Sequence, residues 1–239
     1  MKERRWPWLL SAALLFASGL AAGSATYLWW LPCAGQMMPG AAGFTDACLV
    51  RMDAGLPYPL AHAVEPFVPA TYILASASMV LAAAAWLIAA LAAAQWSGSS
   101  QLAGVAFGAA LIWLAWVSLH PAPREGSDGP LEQLTLGAVD VTALAALAFL
   151  WSGWPGERRS GPRLLIVLAA VTAFSFLRIG MDYAVMSAWN SANWDAPPGT
   201  GYLSAAGLVV ASVAVAVLTL RHRTPSTEPR LAAEATARV

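Results

Sequence analysis

Long apolar runs alternate with short polar segments along this chain. Each run has the length that an α-helix needs to cross about 30 Å of hydrocarbon. We therefore predict an all-α fold, a polytopic integral membrane helix bundle of about six transmembrane helices. The predicted spans cover residues 8–31, 67–94, 102–119, 134–151, 164–188 and 202–220, and the segments between them are rich in glycine, proline and charged residues.

The composition supports this interpretation. Of the 239 residues, 59% are hydrophobic and 11% are charged, and the mean hydropathy is +0.60, whereas about a quarter of the residues are charged in a soluble domain. The formal net charge is zero, so whole-chain charge indicates no acidic or nucleic-acid partner. Alanine is abundant and Lys2 is the only lysine beside many arginines, which is a hint of a bacterial origin.

The distribution of basic residues predicts the orientation of the bundle. In membrane proteins, short loops rich in lysine and arginine face the cytoplasm. With six spans, most basic residues fall on one side, so we predict that both termini are cytoplasmic and that the protein lies in the plasma membrane. This side carries Lys2, Arg4, Arg5, Arg158, Arg159, Arg163, Arg221, Arg223, Arg230 and Arg238, and the opposite side carries only Arg51 and Arg124.

The two ends of the chain are predicted to differ. Residues 1–220 form the membrane domain, and residues 221–239 are a polar, disordered cytoplasmic tail. The first span has the basic start and small residues of a cleaved signal peptide. Its apolar run continues through "TYLWWLP", which favours an uncleaved anchor, and both interpretations stay open.

The chain has two cysteines, Cys33 and Cys48, and both lie in the first outer loop, residues 32–66. Disulfides persist outside a bacterial plasma membrane, so we predict a bridge that closes a loop of about 15 residues and is worth roughly 3 kcal/mol. A redox-active pair is the alternative, but redox enzymes of this kind usually use a CxxC pair, which is missing here. The rest of the loop carries Arg51, Asp53, Tyr58 and Glu65 as candidates for a lid or a docking surface.

Thioether and imidazole side chains on the outer side raise the question of a metal. Met37, Met38 and His62 lie in the outer loop, and His120 lies at the outer end of the third span. Such ligands suit copper, and the two histidines suit axial ligation of a haem. None of the spacings is a metal signature and methionines often only pack, so we predict no cofactor and keep these four residues as weak candidates.

Three ionisable residues fall inside predicted spans, namely Asp140, Arg178 and Asp182. Each costs roughly 2.5–3.5 kcal/mol at mid-membrane, and the i, i+4 spacing places Arg178 and Asp182 on one helix face. Three interpretations follow: a buried ion pair that holds the fifth span against the fourth, an outward polar pocket for a ligand or ion, or Asp182 reaching the membrane interface.

Aromatic and acidic residues follow the fifth span at its outer end. Trp194 and Asp195 would stand at the membrane interface, where tryptophan is usual, and a ligand clamp is the alternative. The small-xxx-small spacings of Gly19 with Gly23 and of Gly104 with Gly108 are typical of close helix contacts in membranes.

No motif in the chain indicates a reaction. A phosphate loop, a dinucleotide-binding glycine fingerprint, HExxH and GxSxG are all missing. The preferred interpretation is a non-catalytic accessory, assembly or sensing protein whose partners are the lipid bilayer and another membrane protein, with no nucleic acid. A small transporter that uses Asp140, Arg178 and Asp182 is the first alternative, and a membrane redox protein that binds copper or haem is the second.

Overall fold

The computed structural model describes residues 5–37, 43–54, 68–92, 98–119, 138, 140–144, 168–174, 176–190 and 196–221. These residues are helical with short turns and contain no strand, which confirms the predicted all-α class. The helices are α1 (Trp6–Trp30), α2 (Asp46–Asp53), α3 (Pro69–Ala92), α4 (Gly98–Leu119), α5 (Phe176–Asn190) and α6 (Tyr202–Arg221), with a 3-10 turn at Leu31–Cys33. Residues 140–144 and 168–172 are also helical.

Three of these helices are long and apolar enough to cross a membrane. They correspond to Trp6–Cys33, Pro69–Ala90 and Tyr202–Leu220, and a shorter apolar stretch covers Gly104–Leu119. The bounds of α1, α3 and α6 agree with the predicted spans to within two residues. Pro69 occupies the first position of α3, where its missing N–H costs no hydrogen bond.

The fifth predicted span is wrong as a single continuous helix. The helical stretch at residues 168–172 ends in a turn at Ala173 and Phe174, and α5 begins at Phe176. Both turn residues are buried in the main apolar core, so packing holds the chain at this break. Apolar residues flank the break on both sides, which is why the hydropathy pattern does not reveal it. The fourth predicted span lies outside the described residues except for 138 and 140–144.

Helix α1 is the centre of the bundle and packs against both α3 and α6, while α4 packs on the far side of α3. Small residues bring these helices together. Ser18 and Ser78 each donate from Oγ to the other's carbonyl oxygen, at 2.7 and 2.9 Å. A Cβ added to Gly19 would lie 2.7 Å from Val209 of α6, and one added to Gly104 would lie 2.7 Å from the Cβ of Ala90 of α3. The predicted role of these two glycines in close helix contact is confirmed.

One end of the bundle carries the disulfide and is called the disulfide end below. It contains the carboxyl end of α1, the short helix α2, and the first turns of α3 and α6. Trp29, Trp30, Cys33, Cys48, Met52, Ala54, Tyr72 and Ala196 form a second buried cluster there, separate from the core between the long helices. The predicted Cys33–Cys48 bridge is present, and both cysteines are fully buried.

Candidate functional site

Asp182 of α5 is 1% exposed and binds the amino-terminal turn of α6. Its Oδ2 atom accepts hydrogen bonds from the backbone N–H of Gly201 at 3.0 Å, from the backbone N–H of Ser204 at 3.1 Å and from the hydroxyl of Ser204 at 3.0 Å. A carboxylate on one helix therefore caps the next. Neighbouring protein atoms therefore enclose this side chain.

The start of α6 explains why this carboxylate is needed. The first amides of a helix have no partner within the helix, and a serine, threonine, aspartate or asparagine at the N-cap usually accepts from them. Here Gly201 precedes the helix and has no side chain to offer. It has a φ of +111°, and an added Cβ would meet Thr26 Oγ1 at 2.8 Å. Glycine is thus required at this position, and Asp182 supplies the missing acceptor, whose charge also suits the positive end of the helix dipole.

Arg178 lies one helical turn before Asp182 and binds the same turn of α6. Its Nη2 atom donates to the carbonyl oxygen of Leu203 at 2.7 Å, and the guanidinium lies beside Gly207, where an added Cβ would stand 3.2 Å from Nη2. The predicted common face of Arg178 and Asp182 is confirmed. Both side chains hydrogen-bond to the first turn of α6. Asp140 is half-buried within the helical residues 140–144.

The turn between α5 and α6 joins this cap to the rest of the disulfide end. Residues 196–201 are buried. The indole N–H of Trp30, at the end of α1, donates to the carbonyl oxygen of Thr200 at 2.9 Å, and the backbone N–H of Ala196 donates to the carbonyl oxygen of Met52, in α2, at 3.2 Å. The three elements that meet here are therefore held by polar contacts as well as by apolar packing.

Arg51 of α2 points inward, although it belongs to the outer-loop residues proposed as a lid or docking surface. It is 2% exposed, and its guanidinium carbon lies 4.9 Å from the centroid of the Trp29 ring, which in turn stands edge-on to Tyr72 with ring centroids 6.3 Å apart. Burial lowers the pKa of the Arg51 guanidinium and nearby Tyr72 raises it in part, but an arginine stays charged at physiological pH. The contact is a cation–π interaction, worth about 2 kcal/mol when desolvated.

The other predicted site residues divide into two groups. Asp53 is exposed at the end of α2, and Met37 is half-buried after the 3-10 turn. The remaining ones, namely Met38, Tyr58, His62, Glu65, His120, Trp194 and Asp195, lie outside the described residues. Among the residues that the structure describes, no group of three or more histidine, cysteine, aspartate or glutamate side chains is placed to hold a metal ion.

The polar groups at the disulfide end mainly bind one another and hold the helices together. With three donors on Oδ2, Asp182 has one of its two oxygens fully used by the chain itself, while Oδ1 is buried and has no hydrogen-bond partner among the described residues. Comparison with known proteins gives no independent guide, because no family model, no curated protein and no solved structure matches the chain.

Proposed function

We propose that this chain is a non-catalytic, multi-pass protein of a bacterial plasma membrane, with six spans and both termini in the cytoplasm, that acts as an accessory or assembly subunit. In this proposal the disulfide end faces outward and presents helix α2 to another membrane protein. The observation that carries the proposal is the use of the buried charges: Arg51 and Asp182, the fully buried charged residues that the structure describes, are both bound by groups of the chain itself.

A binding or catalytic site needs polar groups with free capacity for a ligand. The guanidinium of Arg51 covers the Trp29 ring, and Oδ2 of Asp182 receives three hydrogen bonds from the first turn of α6. Freeing the Asp182 carboxylate would leave buried donors without a partner, at about 1–3 kcal/mol for each unsatisfied group. Freeing Arg51 would lose its contact with the Trp29 ring, worth about 2 kcal/mol. These residues are therefore better suited to holding the disulfide end together than to binding and releasing a ligand.

The exposed side chains of helix α2 are distributed as in a helix that contacts a partner protein. Its arginine is buried, while Leu49 and Val50 are 43% and 39% exposed and are accompanied by exposed Asp46 and Asp53. Apolar side chains flanked by charges on a small surface are typical of interaction sites. The Cys33–Cys48 bridge and the Thr45 cap, whose side chain accepts from the Cys48 N–H, fix this surface before a partner binds, which lowers the entropic cost of association.

Site-specific photo-crosslinking tests this proposal in intact cells. A photoreactive amino acid replaces Val50 at the disulfide end. In a control variant it replaces Leu220, an apolar residue that is 55% exposed and lies at the other end of α6, away from the disulfide. We expect one discrete protein adduct from position 50, identifiable by mass spectrometry, and its loss when Leu49→Asp is added. Adducts only with lipid at position 50, or the same protein adduct from both positions, would exclude α2 as a specific docking helix.

A small transporter is the second candidate, and one observation favours it. The Oδ1 atom of Asp182 is buried without a hydrogen-bond partner in the described part of the chain, and a buried carboxylate oxygen in this condition is suited to an ion or a water molecule. If the protein is a transporter, Arg178→Ala would abolish uptake of the transported substrate while the protein still accumulates in the membrane. An unchanged uptake rate in that variant would leave the accessory role as the better account.

A further inference from the structure

Two methionine sulfurs from different parts of the chain converge at the disulfide end. Met37 follows the 3-10 turn after α1, and Met186 belongs to α5. Both Sδ atoms lie within 4 Å of the position that a Cβ on Gly199 would occupy, Met186 Sδ at 3.2 Å and Met37 Sδ at 3.9 Å. Gly199 has a φ of +94° and carries no side chain, so both thioethers can approach the backbone of the turn before α6.

This pair is less buried than the methionines that fill the interior of the protein, although Met37 also packs against the buried cluster of the disulfide end. Met79 and Met52 are buried in the apolar clusters, at 0% and 4% exposure, as expected of side chains that serve only as packing. Met37 and Met186 are instead half-buried. Their sulfurs therefore lie beside the same glycine, on residues that are not fully buried, and this is the arrangement from which we infer a ligand site.

We propose that Met37 and Met186 form a binding site for a soft monovalent metal ion, Cu(I). Thioether sulfur is a ligand that selects Cu(I) over harder cations, and each methionine has three rotatable bonds through which its sulfur can adjust to a metal. The Cδ2 atom of the Tyr202 ring lies 3.8 Å from the same point beside Gly199. The site departs from the expectation that no cofactor binds, and it does not depend on the proposed accessory role.

The cysteines make this proposal directly testable. Both thiols of the chain are used in the Cys33–Cys48 bridge, so thiolate ligands cannot account for Cu(I) bound by the oxidised protein. The purified full-length protein in detergent is titrated with Cu(I) in competition with a colorimetric Cu(I) chelator, under ascorbate and without added thiol. We expect one Cu(I) per chain, and a loss of affinity of about 10- to 100-fold or more in Met37→Leu and in Met186→Leu, because removing even a supporting partner of a metal ligand costs this much.

Met181→Leu is the matched control, since Met181 lies on the same helix as Met186 and is 52% exposed. Leucine has nearly the volume of methionine, so these exchanges preserve packing, and intact folding is checked by circular dichroism and by the retained disulfide. Binding should be unchanged in Met181→Leu. The proposal is overturned if the wild-type protein takes no Cu(I) from the chelator, or if the Met37→Leu and Met186→Leu variants bind it as tightly as the wild type.

Discussion

Replacing Asp182 by alanine should strongly destabilise the disulfide end. The variant loses the acceptor for the Gly201 and Ser204 amides and for the Ser204 hydroxyl, all of which are buried. A buried donor left without a partner costs about 1–3 kcal/mol, and removing one member of a buried charged network costs about 3–5 kcal/mol. We therefore expect a loss of about 3–5 kcal/mol.

Asp182→Asn separates the hydrogen bonds from the charge. Its amide oxygen can still accept from the first turn of α6, so this variant should lose only about 1–2 kcal/mol, the scale of a weakened helix cap. Asp46→Asn is the control, because Asp46 is exposed at the start of α2 and a surface exchange is expected to stay within about 0.5 kcal/mol.

Thermal unfolding in detergent, followed by circular dichroism, measures these differences. For a chain of this size each kcal/mol corresponds to a shift of about 2–4 °C in the Tm, so Asp182→Ala should unfold about 6–20 °C below the wild type. The Tm of Asp182→Asn should lie between the Tm of Asp182→Ala and that of the wild type. A Tm for Asp182→Ala that equals that of Asp46→Asn would refute the capping role, because the buried amides of α6 would then need no acceptor from α5.

Four further substitutions test the helix packing, the disulfide and one hydrogen bond. Gly104→Ala should lower the stability by about 1–3 kcal/mol, because its Cβ would meet that of Ala90 at 2.7 Å, whereas Gly180→Ala, which meets nothing within 4 Å, should raise it by about 0.5–1 kcal/mol; an equal effect at both sites would contradict the close contact of α3 and α4. Cys33→Ser should cost about 3 kcal/mol in non-reducing buffer, and a reductant that opens the bridge should remove most of this difference. Trp30→Phe should cost about 1 kcal/mol by removing the donor to Thr200, and an unchanged unfolding curve would show that this bond contributes nothing.

The long helices were predictable because apolar runs are the direct requirement for a helix in lipid. The bounds of α1, α3 and α6 follow from where those runs meet proline, glycine or charge. The disulfide was predictable because the chain has only two cysteines and both fall in one predicted outer loop. The break before α5 was not predictable, since the residues around Phe174 are as apolar as those of an unbroken span.

The partners of Asp182 were not predictable from residue types, because two of the three donors are backbone amides that every helix start provides. One signal does exist. Helix α6 begins after Gly201, so its amides need an acceptor from elsewhere, and Asp182 is the acidic residue of the preceding helix. The burial of Arg51 was hidden for a related reason: the sequence shows a polar loop residue, and only the fold brings Trp29 beneath it.

The most direct test of the account is the sidedness of the disulfide end. Fusions of alkaline phosphatase, which is active only outside the bacterial cytoplasm, and of green fluorescent protein, which fluoresces only within it, are made after Ala54, Arg124, Arg159 and Arg221. The six-span arrangement predicts phosphatase activity after Ala54 and Arg124, and fluorescence after Arg159 and Arg221. Fluorescence after Ala54 would place the disulfide end in the cytoplasm, and the same side for Arg124 and Arg159 would contradict the fourth span.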